Sequence, residues 1–278
     1  MPSVSSAEPI FLSSNVGARA TPLRPVVGGW YAIPAHRDEE PDAQRHERGR
    51  RREWLPFRVR VAAGEADLQR VAALRWAAYA RHLPAPLVQP LAQAEALDRE
   101  PGVAVLMAES KVDGELLGTL RLQTNRPRPL LLEQSYTLPP EMAQSPCAEV
   151  TRLAVASHPE SRLVKTVLLK AAYRWCEAYG IRYVLVTARP PLDRQYARLL
   201  FRDVDPARGY VPLAHVFGLP HRVMVCDLAR ARQDGAGHPL YDFWFRTDHP
   251  DLEVGPEEGR PSTQSTRSNS SSGGWVLR

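Results

Sequence analysis

Ala148-Glu149-Val150-Thr151-Arg152-Leu153-Ala154-Val155 runs into a helical pattern that begins near Glu160. The stretch is β-branched and apolar, with no Gly or Pro, which predicts a strand. Within it lie a carboxylate and a guanidinium. A strand buried on both faces rarely holds two ionisable groups unless they are paired or used. The helix after it carries the stripe Val164, Leu168, Ala171, Ala172, Trp175 and Tyr179, and Gly180 ends it. Ile181-Arg182-Tyr183-Val184-Leu185-Val186-Thr187 is β again, so residues 148–187 make a βαβ unit with parallel strands.

Upstream, Phe57-Arg58-Val59-Arg60-Val61 alternates as a first strand. Glu65 to about Leu83 is a helix with Leu68, Val71, Ala72, Trp76 and Tyr79 on one stripe, stopped by Pro84 and Pro86. Val103–Glu109 and Leu116–Leu122 form a hairpin turning at Asp113-Gly114, and residues 125–146 are a Pro-rich loop. Downstream come a short helix from about Leu192 to Phe201 and a last strand, Arg222–Leu228. A parallel βαβ unit beside an antiparallel hairpin predicts an α+β, mixed α/β fold and not a doubly wound one.

The ends read differently. Residues 1–54 hold Pro, Ser, Gly and charge runs such as Arg48-Gly49-Arg50-Arg51-Arg52, and residues 251–278 become rich in Glu, Gly, Ser and Thr. Neither shows apolar periodicity, so both are expected to be disordered around a single domain at 55–250.

The formal net charge of +5 sits in the central part, where residues 55–228 carry 22 basic against 17 acidic side chains. All but Lys111, Lys165 and Lys170 of the 36 basic residues are Arg. This fits a GC-rich coding sequence or a basic face for an acidic partner. No nucleic-acid reading motif accompanies the charge, so no nucleic-acid partner is expected. Cys147, Cys176 and Cys226 are too scattered for a disulfide framework or a zinc site and suit a reducing, cytoplasmic setting as core thiols. No signal peptide is visible and no run of about 18 apolar residues exists, so no membrane span is expected.

Charge in apolar places points to function. At about 100° per residue, Arg75 falls in the middle of the apolar face of its helix. Either it snorkels, or it points inward to a carboxylate such as Glu149 or Asp98. Arg121 alternates with Leu120 and Leu122, on an edge or solvent face or within a buried one. Glu149 and Arg152, three apart, face opposite ways in a regular strand; a β-bulge between them changes this and splays the strand from its neighbour. Together these side chains suggest an internal electrostatic network. His215 and His221 flank Pro220 and lack metal-ligand spacing, which favours surface histidines and no metal site. Gly-x-Ser-x-Gly, Walker and Gly-x-Gly-x-x-Gly motifs are absent. Tyr241-Asp242-Phe243-Trp244-Phe245 either caps the core or lines an apolar ligand tunnel.

Leu74-Arg75-Trp76, Asp98, Gly118-Thr119-Leu120-Arg121-Leu122 and Glu149-Val150-Thr151-Arg152-Leu153 occur in one order. In this the chain resembles the acyl-homoserine lactone (autoinducer) synthases and, more closely, the long-chain N-acyl amino acid synthases of the GNAT-type N-acyltransferase superfamily. The resemblance, over roughly residues 57–228, implies a largely antiparallel, mixed seven-stranded sheet flanked by helices and splayed near its fourth strand. It also implies transfer of a medium or long fatty acyl chain from acyl carrier protein to the amine of an amino acid or related small molecule. The matching functional positions are Arg75, Asp98, Arg121, Glu149 and Arg152. The co-substrate is an acyl-phosphopantetheine thioester, on carrier protein or on coenzyme A, with no tightly bound cofactor.

Acetyltransferases of this superfamily hold the coenzyme A pyrophosphate on a Gly-rich turn. Here the turn reads His158-Pro159-Glu160-Ser161-Arg162-Leu163-Val164-Lys165, without Gly, which favours a carrier-bound donor whose acidic surface meets Arg162 and Lys165. Glu149 is the candidate base, with its pKa depressed by arginine neighbours, or else a strut for Arg75. A backbone N–H near Leu153 or Ala154 is the oxyanion donor, and Arg121 or Arg152 binds an acceptor carboxylate. A coenzyme A-dependent acetyltransferase and a non-catalytic module that binds an acyl thioester or its carrier are the alternatives.

Overall fold

The computed structural model describes residues 51–255. Eleven strands and six α-helices follow one another as β1 (Arg51–Arg52), β2 (Phe57–Val61), α1 (Glu65–Tyr79), α2 (Ala85–Val88), β3 (Val103–Ser110), β4 (Leu116–Thr124), α3 (Pro140–Ala143), β5 (Cys147–Val155), α4 (Ser161–Ala178), β6 (Tyr183–Ala188), α5 (Leu192–Ala197), β7 (Arg202–Asp203), β8 (Val211–Pro212), β9 (Pro220–Asp227), α6 (Ala231–Asp234), β10 (Thr247–Asp248) and β11 (Leu252–Glu253). The main sheet has the order β11-β2-β3-β4-β5-β6-β9-β7, with β8 on β9. It carries nine strands where seven were expected: six long ones, and the two-residue strands β7, β8 and β11 at its margins. Only β11–β2 and β5–β6 are parallel within it.

The ordered fold reaches past the expected limits of 55 and 250. β1 pairs with β10, β11 pairs with β2, and Val254 is 2 % exposed within the core. The remainder of the two segments expected to be disordered lies outside the described residues.

One face of the sheet is apolar throughout. Leu106, Leu120, Leu122, Val150, Val184 and Val186 pack there against α4 through Val164, Val167, Leu168 and Ala171. Gly118 lets the helix come this close: a Cβ there would lie 2.6 Å from Val164 Cγ1 and 2.9 Å from Leu168 Cδ1. Gly118→Ala is therefore expected to cost about 1–3 kcal/mol, measurable as a lower urea midpoint at unchanged slope.

Lys170 of α4 is fully buried beside this core. Its ammonium donates to the carbonyls of Phe243 and Thr247 (2.7 Å for the latter) and to His249 Nδ1 at 2.8 Å. It thereby fastens the π-helical turn Asp242–Arg246 and the segment after it onto α4. Cys147, Cys176 and Cys226 are free and buried, and burial pushes the Cys147 and Cys226 thiols up to about 12.

The opposite face is divided. Leu68 and Val71 of α1 cover Val105 and Met107 at one end, while Leu130, Leu132 and Leu213 cover Leu185, Val223 and Val225 at the other. Between these clusters, β4 and β5 present Arg121, Gln123, Glu149 and Thr151. Helix α1 turns Arg75 inward, one of the two readings left open for it, and turns Trp76 outward. Arg75 is 1 % exposed, whereas Trp76, expected on the buried stripe, is 46 % exposed.

Candidate active site

β5 pairs with β6 from Cys147 to Val150 and no further, although β6 continues to Ala188. Beyond Val150 the two strands part, and among the described residues Thr151–Val155 have β4 as their only strand partner. On the β4 side the register also breaks: Arg121 is opposite Thr151, but Thr119 is opposite Ala154. Two residues of β5, Arg152 and Leu153, thus stand against Leu120, a β-bulge. Arg152 is its hinge, with φ 54° in the left-handed region. A non-Gly residue there costs roughly 1–2 kcal/mol.

The bulge has an evident electrostatic purpose. It turns Arg152 onto the face of Arg121, where its Nε and Nη2 grip Glu95 Oε2 and Oε1 at 2.7 Å each. Glu95 also receives Arg121 Nη1 at 3.2 Å and lies 3.5 Å from Arg75 Nη1. Asp98 accepts Arg75 Nη1 at 2.6 Å and Arg121 Nη1 at 3.3 Å. Glu95 and Asp98 bracket the 3₁₀ turn Ala96–Arg99 and cap it reciprocally, which fixes both carboxylates. Burial alone would raise Glu95, but the hydrogen bonds of Arg152 and the charges of all three arginines hold it at about 2.

Three guanidinium groups thus face two carboxylates, an excess of one positive charge. Arg75 Nε and Nη2 and Arg121 Nη2 are buried without a protein hydrogen-bond partner. Next to them on β4 and β5, Gln123 and Glu149 sit in register. Gln123 Oε1 and Glu149 Oε1 are buried acceptors, likewise without a hydrogen bond. The other Glu149 oxygen, Oε2, accepts the Leu132 N–H at 3.0 Å. One half of this polar strip therefore offers donors and the other half acceptors.

Three expectations are corrected here. Glu149 is no strut for Arg75; Asp98 and Glu95 take that place. Nor is Glu149 depressed by its arginine neighbours. Burial dominates and pushes it up to about 7, outweighing the Leu132 N–H and the Arg121 charge, which lower it. His215 is no surface histidine: its side chain is 4 % exposed, and Nε2 lies 3.3 Å from Glu149 Oε1. His221 is buried too, 8 % exposed, against the Leu219 carbonyl.

Arg75, Asp98, Arg121 and Arg152 are gathered at one point, with Glu149 on the adjoining row. Leu153 is in the bulge and Ala154 just beyond it. Arg162 and Lys165 stand apart on the first turn of α4, where Arg162 is exposed and Lys165 Nζ donates to Gln195 at 2.5 Å. Glu95 and His215 had escaped the sequence. Glu95 could have been found, since Glu95 and Asp98 have capping-box spacing; His215 carries no local signal.

On the α4 face, behind β5, a narrow cavity of about 40 Å³ is lined by Val150, Tyr173, Val184, Phe201, Trp244 and Phe245, among others. None of its lining residues is charged. Val150, the last residue of β5 paired with β6, is among its lining residues. The aromatic segment 241–245 packs on the core, and its Trp244 and Phe245 line this cavity. Among the described residues, no group of three or more His, Cys, Asp and Glu is placed to hold a metal, and no helix is long and apolar enough to cross a membrane.

Among solved structures, the N-acyl amino acid synthase FeeM from uncultured soil microbes superposes with a TM-score of 0.52 at 14 % identity, over 67 % of this chain and 96 % of that one. TofI, solved in a ternary complex with an inhibitor and MTA, gives 0.47 at 13 %, over 63 % and 92 %. A putative N-acetyltransferase from Lactobacillus plantarum gives 0.44 at 16 %, over 63 % and 99 %. Comparison with curated proteins finds no match. The family described as N-acyl amino acid synthase FeeM matches residues 70–220, more than half of the chain and every part of the polar strip. The protein is an acyltransferase of GNAT-type fold and belongs to the FeeM family of N-acyl amino acid synthases.

Proposed function

We propose that the protein joins a medium or long fatty acyl chain, delivered as a thioester on acyl carrier protein, to the amine of an amino acid. The observation that carries this reading is the polarity of the buried strip. Unpartnered guanidinium N–H groups of Arg75 and Arg121 adjoin unpartnered oxygens of Gln123 and Glu149. An amino acid has the matching ends, a carboxylate for the arginines and an ammonium for the oxygens. The acyl chain points into the apolar cavity on the other side of β5, which must widen to receive it, and the thioester carbonyl lies in the gap where β5 and β6 separate.

In the reaction Glu149, as carboxylate, removes one proton from the ammonium. The amine nitrogen attacks the thioester carbon, and a backbone N–H of the bulged stretch, Leu153 or Ala154, meets the oxyanion. Collapse breaks the C–S bond; the thiolate takes the second proton from nitrogen, leaving amide and thiol.

The start of α4 supports a carrier-borne donor. A pyrophosphate would need free backbone N–H groups there, but Glu160 brings a carboxylate, and Ser161 Oγ accepts the His158 N–H at 3.0 Å. A carrier-borne arm places no pyrophosphate at that point. Arg162 and Lys165 would then meet the carrier's acidic surface.

Purified protein with an amino acid mixture and acyl chains of graded length, each on carrier protein and on coenzyme A, is expected to yield N-acyl amino acids from the carrier series. Products confined to acetylation from acetyl coenzyme A would overturn the reading. Ala231, which lines the cavity and is 3 % exposed, offers a second check. Ala231→Leu should cut kcat/KM by about fourfold for each methylene it shuts out, at about 0.8 kcal/mol apiece, and leave short chains untouched.

A further inference from the structure

His215 is a buried titratable side chain at the vertex of the splayed strands that the reaction above leaves without a task. It sits in the 3₁₀ turn Ala214–Val216, between β8 and β9. That turn is firmly held: Leu213 is wholly buried, the Ala214 N–H donates to Ser135 Oγ at 2.9 Å, and the Gly218 N–H donates to the Leu213 carbonyl at 2.9 Å. The imidazole is thus delivered to a set position. Its Nε2 lies 3.3 Å from Glu149 Oε1 and 3.4 Å from Thr187 Oγ1, at the level where β5 and β6 separate.

The hydrogen-bond inventory of Glu149 assigns the pair its roles. Oε2 is occupied by the Leu132 N–H, so a proton taken by the carboxylate belongs on Oε1. Oε1 as it stands accepts no hydrogen bond. A protonated Oε1 instead needs an acceptor, and Nε2 of a neutral imidazole is the one within reach. The surroundings keep that imidazole neutral. Arg121 from β4, Arg152 from β5 and His221 from β9 face it with positive or ionisable groups, while Glu133, from the turn 131–134, faces Glu149.

Resting on the N-acyl transfer reading, we infer that His215 is a positioning residue for Glu149: the carboxyl that takes the amine's proton donates it in a hydrogen bond to His215 Nε2, and the two groups hold one proton between them. When Glu149 is ionised, the Thr187 hydroxyl is the alternative donor to Nε2. The second proton of the amine goes to the departing thiolate as before, and the shared proton leaves to solvent at the end of the turnover. Burial favours the neutral form of both partners, pushing Glu149 up to about 7 and His215 down to about 4. The proton therefore resides on the carboxyl within that interval.

The test pairs His215→Ala with His215→Gln. Alanine removes the acceptor and admits water, both of which favour the carboxylate; glutamine keeps an oxygen acceptor at similar reach. Infrared difference spectra against Glu149→Gln follow the protonated-carboxyl band of Glu149 with pH, whether or not the protein turns over. The expected result is a midpoint near 7 in the native chain, lowered by a unit or more in His215→Ala and retained in His215→Gln. In steady-state assays His215→Ala should lose about tenfold or more in kcat with the acceptor KM little changed, and His215→Gln should recover most of it. An unmoved midpoint in a folded His215→Ala protein overturns the pairing, as does a loss confined to acceptor KM. Failure of the native chain to turn over any thioester would overturn the transfer reading instead, while the band would still report on the pair.

Discussion

Glu149→Gln is expected to lower kcat by at least about a hundredfold while making the protein more stable above neutral pH. The two effects share one cause. The carboxyl is 0 % exposed and its folded-state pKa, about 7, lies above that of an ordinary glutamate. Between the ordinary value and 7 the folded chain binds more protons than the unfolded one, so stability falls as pH rises through that window and stays lower beyond it. Glutamine is isosteric, can still accept the Leu132 N–H, and carries no charge to desolvate. It therefore abolishes the proton acceptor and removes the alkaline penalty together. Urea denaturation at pH 5 and pH 8 should show a difference in the native chain that shrinks in the variant. Equal pH dependence in both would mean that Glu149 titrates normally, and undiminished turnover would remove it from the chemistry.

Asp98→Ala should destabilise by about 3–5 kcal/mol, the range found when one member of a buried ion pair is removed. Asp98 has a fully buried side chain and answers both Arg75 and Arg121, themselves 1 % and 0 % exposed. It also closes the reciprocal cap that holds Glu95 in place. Without it, two buried guanidinium groups lean on Glu95 alone. The cost is mainly that of stranded charge and not of a lost attraction. Adding Arg75→Met, which fills similar space without charge, should recover a substantial part of the loss. If the double variant is less stable than Asp98→Ala by the full cost of losing Arg75, the network stabilises by direct attraction and stranded charge is not the cause. Thermal or urea denaturation decides between them.

The parts of this site that are legible in the sequence are those set by local periodicity. Arg75 can be placed on the buried face of α1 because a helix has a fixed angular step. The break between Glu149 and Arg152 is legible because strand alternation cannot put both on one face without a bulge. The pKa of Glu149 is not legible, because counting nearby arginines ignores how deeply the carboxyl is buried. Burial outweighs the Arg121 charge, and only the three-dimensional structure reveals it. His215 lies 66 residues from Glu149 along the chain and arrives on a turn with no period of its own. The sheet's short margins, β7, β8 and β11, are equally invisible, since two residues carry no pattern.

Lys170 has a consequence for how the chain is made. The helix that builds the main core carries an ammonium whose acceptors at Phe243, Thr247 and His249 are synthesised 73, 77 and 79 residues later. While the chain emerges from a ribosome, α4 can form, but seating it fully would bury a cation before those three acceptors exist. The domain should therefore close late, only after residue 249 has appeared, and in one step. A chain stopped at residue 240 should remain expanded and protease-sensitive although every long strand is present. Lys170→Met should let such a shortened chain compact early.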